Sequence, residues 1–104
     1  KLAKESHLSL SISYEEGFPD TINCASSVEK VKKAAERSGF SLIELEEPFR
    51  WSEDFGYYLK ETKGAFFGIG DGEEHPQLHT KDYEFPDEII ETGVGMFLAL
   101  LKEE

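Results

Sequence analysis

The stretch Gly68-Ile69-Gly70-Asp71-Gly72-Glu73-Glu74-His75-Pro76-Gln77-Leu78-His79-Thr80 gathers the densest set of chemically capable residues in this chain. Its glycines alternate with other residues, which lets a backbone approach a ligand closely and turn N–H groups toward an anion. The same pattern also makes an ordinary flexible turn, and three alternating glycines alone do not separate the two. His75 and His79 stand four apart, the spacing that puts two imidazoles on one side of a helix for a metal. Pro76 lies between them and breaks such a helical turn. With one cysteine in the chain and His7 far away in sequence, the residues for a closed four-ligand zinc site are missing. One histidine serving a metal completed by another chain segment stays open.

Other polar clusters are weaker. Ser52, Glu53 and Asp54 put a capping hydroxyl and two carboxylates at a helix start, where the macrodipole accounts for them without catalysis. Asn23 sits between a proline-containing turn and a helix, as a turn residue or a ligand contact. Cys24 has no histidine or cluster of basic residues near it in sequence, which argues against a thiolate nucleophile. No nucleophile elbow, phosphate loop or dinucleotide fingerprint is present.

The elements that must position these groups read as alternating strands and helices. In residues 7–14, Leu8, Leu10, Ile12 and Tyr14 alternate with three serines, the period of a strand with one buried face. Ser26 and Glu29 form a capping-box pair ahead of a helix with Val28, Val31 and Ala35 on one stripe, and Gly39 closes it. Residues 41–45 predict a second strand. Ser52 then opens a second helix, with Phe55, Tyr58, Leu59 and Thr62 inward and Gly64 at its end. Residues 65–69 form a short apolar run bounded by glycine, predicting a buried strand. Pro86 stands at the first position of a third helix, along which Ile90, Val94, Phe97 and Leu101 share a side. The order β-α-β-α-β-α predicts an α/β fold with a mainly parallel sheet, the strands at 41–45 and 65–69 lying side by side through a right-handed crossover. The glycine-rich cluster would then lie just beyond the carboxyl end of a buried strand, where ligands collect in open α/β sheets.

Composition bounds the whole. The chain has 104 residues, 38% hydrophobic and 32% charged, with eight Phe and four Tyr, too much apolar surface for a disordered segment. That length supports one modest core. No apolar run approaches the ~20 residues that span a bilayer. A net charge of −11 repels phosphate backbones and anionic lipid, which disfavours nucleic-acid and membrane partners. The single Cys24 excludes an internal disulfide and favours a reducing compartment. The chain begins at Lys1 without an initiator methionine, so a piece of a longer protein is expected.

Several segments taken together are similar to a known family. These are Phe18-Pro19-Asp20-Thr21-Ile22-Asn23, Trp51-Ser52-Glu53-Asp54-Phe55-Gly56-Tyr57-Tyr58-Leu59, Gly64-Ala65-Phe66-Phe67-Gly68-Ile69-Gly70, Leu78-His79-Thr80, and Tyr83-Glu84-Phe85-Pro86-Asp87 before an apolar helix. In this order and spacing the series resembles the C-terminal end of the metal-dependent amidohydrolases that include hippurate hydrolase and N-acyl-amino-acid amidohydrolase, in the aminoacylase and carboxypeptidase group of zinc peptidases. The resemblance runs from about Leu8 to Leu101.

The resemblance implies that residues 1–17 carry the last strand of a lid domain that mediates dimerisation, and that residues 18–104 are the C-terminal part of the catalytic domain. It implies that His79 is a metal ligand, that the loop from Gly68 to Gly72 lines the substrate pocket through Gly68 and Gly70, and that Asn23 is a substrate contact. His75 matches no ligand position. The family's general base and remaining ligands for a two-ion zinc centre lie in an N-terminal stretch outside these residues, so the chain alone is expected to hold no tight metal and no activity. The parent is expected to be a cytoplasmic homodimer cleaving the amide bond of N-acyl amino acids or small peptides. The competing expectation is a stand-alone binding or interaction domain that has kept the scaffold without the chemistry.

Overall fold

The computed structural model describes residues 1–102 and contains helices joined by long extended segments. Helix α1 is a single turn at Leu2–Glu5; α2 spans Ala25–Arg37, α3 spans Gly56–Glu61 and α4 spans Ile90–Leu100, led in by a 3-10 turn at Asp87–Ile89. Among the described residues the α-helices that pack on each other are α2 and α4. Ala34, Ala35 and Met96 are buried there, flanked by Val31, Phe40, Phe67, Ala99 and Leu100. Two alanines side by side on α2 leave room for α4 to come close, and Met96 fills the gap between them.

The end of α2 follows from Gly39. Its φ of +73° is the left-handed conformation that costs glycine least. The Gly39 N–H donates to the Glu36 carbonyl at 3.1 Å and the Phe40 N–H to the Ala35 carbonyl at 3.0 Å, the paired bonds of a Schellman stop. Phe40 is thereby turned back onto the α2–α4 contact, where its ring would come within 2.9 Å of a Cβ on Gly95.

The parallel-sheet α/β expectation is not met. Among the described residues no strand forms, and the segments at 8–14, 41–45 and 65–69 carry no regular secondary structure, with His7 in a turn ahead of the first. Alternation and apolar runs report an extended backbone and the faces it buries; they do not report which neighbour supplies the ladder bonds. Residues 7–14 and 41–45 are exposed throughout. The second of these is tied to α2 by an ion pair between Lys32 and Glu44. The radius of gyration of 19.4 Å is well above the roughly 13 Å of a compact domain this long. Apolar side chains meant for a sheet interior, Leu8, Leu10 and Ile12 among them, are left in solvent.

The helices also depart from expectation in detail. Helix α2 starts at Ala25 with Cys24 as its extended N-cap and makes no side-chain cap bond, so Ser26 and Glu29 do not form a capping box. Helix α3 starts at Gly56 rather than after Ser52, since its first turn is held against residues 19–20. It ends at Glu61, before Gly64. Of the residues expected on its inner face, Phe55 (its N-cap) and Leu59 are half-buried, but Tyr58 and the C-cap Thr62 are exposed. Pro86 is the N-cap of the 3-10 turn rather than a first helical residue. On α4 the expected stripe of Ile90, Val94, Phe97 and Leu101 faces solvent, and Met96, Ala99 and Leu100 pack instead. That helix is apolar almost all round, so its periodicity did not single out a face.

Candidate functional site

Residues 17–24 run across the start of α3 and the segment 64–66, and Asn23 makes the central contact. Its Nδ2 donates to the Phe66 carbonyl at 2.9 Å, and its Oδ1 accepts from the Phe66 N–H at 2.7 Å. One residue on, the Cys24 N–H donates to the Gly64 carbonyl at 2.9 Å. The Tyr57 hydroxyl donates to the Gly17 carbonyl at 2.7 Å. Phe66 carries the other side of this contact, its ring tilted against Phe55 at 5.2 Å between centroids. Asn23 was legible as a residue of interest, but its partner was not: a bond across 43 positions leaves no local trace in the sequence.

From Phe66 the chain passes into the glycine loop. A Cβ on Gly68 would meet only the rim of Phe49 at 3.8 Å, and one on Gly70 would meet nothing within 4 Å, so both present open backbone. Gly72 has a φ of +98° and turns the loop. His75 is the one half-buried residue between Asp71 and Asp82. Its Nδ1 lies 3.2 Å from both the Asp71 Oδ2 and the Pro76 carbonyl. Both neighbouring oxygens are acceptors, which suits a ring that carries a proton on Nδ1. Its ring meets Tyr83 edge-on at 5.3 Å. The loop is closed further by the Thr80 hydroxyl donating to the Gln77 carbonyl at 2.8 Å.

His79, later in this loop, is exposed and has a φ of +65°. Left-handed backbone is uncommon for a side-chain-bearing residue, although histidine visits it more readily than most. The two histidines do not share a helical face, as Pro76 foretold. An exposed imidazole can give a metal one ligand. A catalytic zinc takes about three from protein, and among the described residues no three His, Cys, Asp or Glu come together to hold a metal. The residues present therefore do not fit a complete metal centre.

Cys24 is a further group of note. The Ser26 side chain, 3.2 Å from its Sγ, and the backbone N–H groups of Ser27 and Ser26 at the start of α2 hold the thiol below its ordinary range. Sequence reading missed this because the stabilising groups are serines and backbone amides, not bases.

Residues 9–103 match the sequence profile of Peptidase family M20/M25/M40. The chain belongs to that family. It is 27% identical over 97 residues to an uncharacterised hydrolase of Staphylococcus epidermidis, covering 88% of this chain and 25% of that protein. A Bacillus subtilis protein provisionally named as an amidohydrolase, YhaA, is 37% identical over 65 residues, 62% of this chain and 16% of its own length. The N-acetyldiaminopimelate deacetylase of Streptococcus pneumoniae is 33% identical over 73 residues, 66% of this chain and 18% of its own. The chain thus spans about a quarter or less of the relatives it matches. No solved structure matches at the same level of significance. Among the described residues no helix is long and apolar enough to cross a membrane.

Proposed function

We propose that this chain is the C-terminal part of a metal-dependent M20 hydrolase that cleaves the amide bond of N-acyl amino acids or small peptide-like substrates. The observation that carries the reading is the family match over residues 9–103, joined by relatives named hydrolase, amidohydrolase and deacetylase. In this reading residues 1–17 belong to a lid that pairs two subunits, and residues from 18 onward belong to the catalytic domain. The single cysteine and acidic balance suit a cytoplasmic enzyme.

His79 supplies one metal ligand from an exposed imidazole, and the remaining ligands and the general base come from outside these 104 residues. Once completed by those outside ligands, the site would hold the metal, zinc in this reading and two ions in the parent, which would polarise the amide carbonyl and activate a water. Gly68 and Gly70 offer open backbone N–H groups to the substrate carboxylate. Asn23 keeps one N–H and one oxygen lone pair after its bonds to Phe66, which leaves it able to contact the substrate as well. The products are a carboxylic acid and a free amine.

The test is hydrolysis of a panel of N-acetyl and N-benzoyl amino acids by the full-length protein, before and after chelation. Release of the free amino acid, lost on chelation and restored by zinc, is expected. Residues 1–104 alone should release none. Absence of hydrolysis across the panel, or hydrolysis indifferent to chelation, overturns the proposal.

A further inference from the structure

Four hydrogen bonds tie residues 17–24 to the start of α3 and the segment 64–66, and two of them come from the Asn23 side chain. The Asn23 amide gives its N–H to the Phe66 carbonyl and takes the Phe66 N–H on its oxygen. That is the two-bond exchange of a bridged pair in a sheet, made here by a side chain on one side. The adjoining bond from the Cys24 N–H to the Gly64 carbonyl carries the pairing one step further along the same segment. Among the described residues, segment 64–67 has no strand neighbour, so these bonds satisfy its backbone while Phe66 and Phe67 are held by ring packing on Phe55 and the α2–α4 contact. Phe66 lies two residues before Gly68.

We infer that Asn23 is a positioning residue. It stands in for a strand neighbour, holds Phe66 by both backbone groups, and so sets where the glycine loop begins. Any effect on turnover rests on the hydrolase reading, but the ordering of Phe66 does not. A substrate contact made with the spare N–H alone would leave the Phe66 backbone untouched, which separates the two roles.

The test compares Asn23→Leu and Asn23→Asp with wild type in the full-length protein, reading amide hydrogen exchange at Phe66 together with kcat and KM. Leucine keeps the approximate size and removes both bonds. Aspartate keeps an acceptor for the Phe66 N–H but turns a carboxylate oxygen toward the Phe66 carbonyl. Exchange at Phe66 should quicken about ten-fold in Asn23→Leu and about three-fold in Asn23→Asp, the Cys24 amide following it, and kcat should fall in the same order. The Ala34 and Ala35 amides inside α2 report whether each variant is folded. Should Asn23→Leu not fold, Asn23→Asp decides on the same criterion. Unchanged exchange at Phe66 overturns the inference, even where turnover falls, since Asn23 would then act on substrate alone. If wild type cleaves no N-acyl amino acid, the hydrolase reading fails while the Phe66 amide still decides this one.

Discussion

A Cβ on Gly56 would lie 2.6 Å from the Asp20 carbonyl oxygen and 2.9 Å from the Pro19 Cγ. Glycine at that position lets the first turn of α3 rest directly on the backbone of residues 19–20. The neighbouring bond from Tyr57 to Gly17 closes the same contact. The start of α3 is therefore set by this approach, not by a cap at Ser52.

The first prediction follows from that distance. Gly56→Ala would gain up to about 1 kcal/mol in helix propensity. The clash is with backbone and a proline ring, neither of which can swing aside, and overpacking of this kind costs about 1–3 kcal/mol. The net effect should be destabilising. Thermal unfolding of the variant should fall by several degrees, at about 4–8 °C per kcal/mol for a chain of this size. A melting temperature at or above that of wild type would show that residues 19–20 yield.

Glycines offer a second, contrasting pair. Gly39→Ala should cost about 1 kcal/mol, because its φ of +73° is strained for any side chain even though space is open there. Gly70→Ala meets neither obstacle and should leave stability within about 0.5 kcal/mol of wild type. If substrate approaches the Gly70 backbone as proposed, the added methyl should nonetheless raise KM several-fold. Chemical denaturation and steady-state kinetics on the two variants check both halves.

What could be read from the sequence, and what could not, divides along a physical line. Gly39 as a helix stop, the Val28–Val31–Ala35 stripe and the incompatibility of His75 and His79 with one helical face were legible, because each is a short-range property of backbone or periodicity. The strand expected at 65–69 does not form, and what Phe66 pairs with was not legible. Pairing depends on what lies across the gap, and here that is the amide of Asn23 rather than a parallel strand from 41–45. Which face of α4 packs was equally hidden. With apolar residues on both sides, the choice falls to the small residues opposite, Ala34 and Ala35, and to Phe40 folded back by Gly39.

Cys24 yields a prediction in pH. Its thiol is held below the ordinary range first by the Ser26 side chain and then by the backbone N–H groups of Ser27 and Ser26. The rate of alkylation by iodoacetamide, which follows the thiolate, should therefore reach half its plateau at lower pH than for a free cysteine. Ser26→Ala should move the midpoint upward. The linkage has a definite sign: a depressed folded-state pKa contributes stability that is present above the unfolded value and lost as pH falls through the folded one. Coincident alkylation profiles for wild type and Ser26→Ala would remove the serine from the account.

The two histidines make the last prediction, and they separate metal binding from loop structure. His79 is exposed and has no hydrogen-bond partner among the described residues, so its imidazole is free to serve a metal. His75 is half-buried, with Nδ1 against Asp71 and Pro76 and its ring edge on Tyr83. In the full-length protein His79→Ala should therefore lower bound zinc and depress hydrolysis by two or more orders of magnitude, while leaving thermal stability close to wild type. His75→Ala should do the reverse. Losing its contacts to Asp71 and Tyr83 should loosen the loop and cost about 1 kcal/mol of stability, with zinc content retained. Metal analysis of the purified variants beside their melting curves reads both quantities at once. Equal zinc content in wild type and His79→Ala would remove His79 from the metal shell. Zinc loss in His75→Ala with an unshifted melting temperature would make His75 the ligand instead.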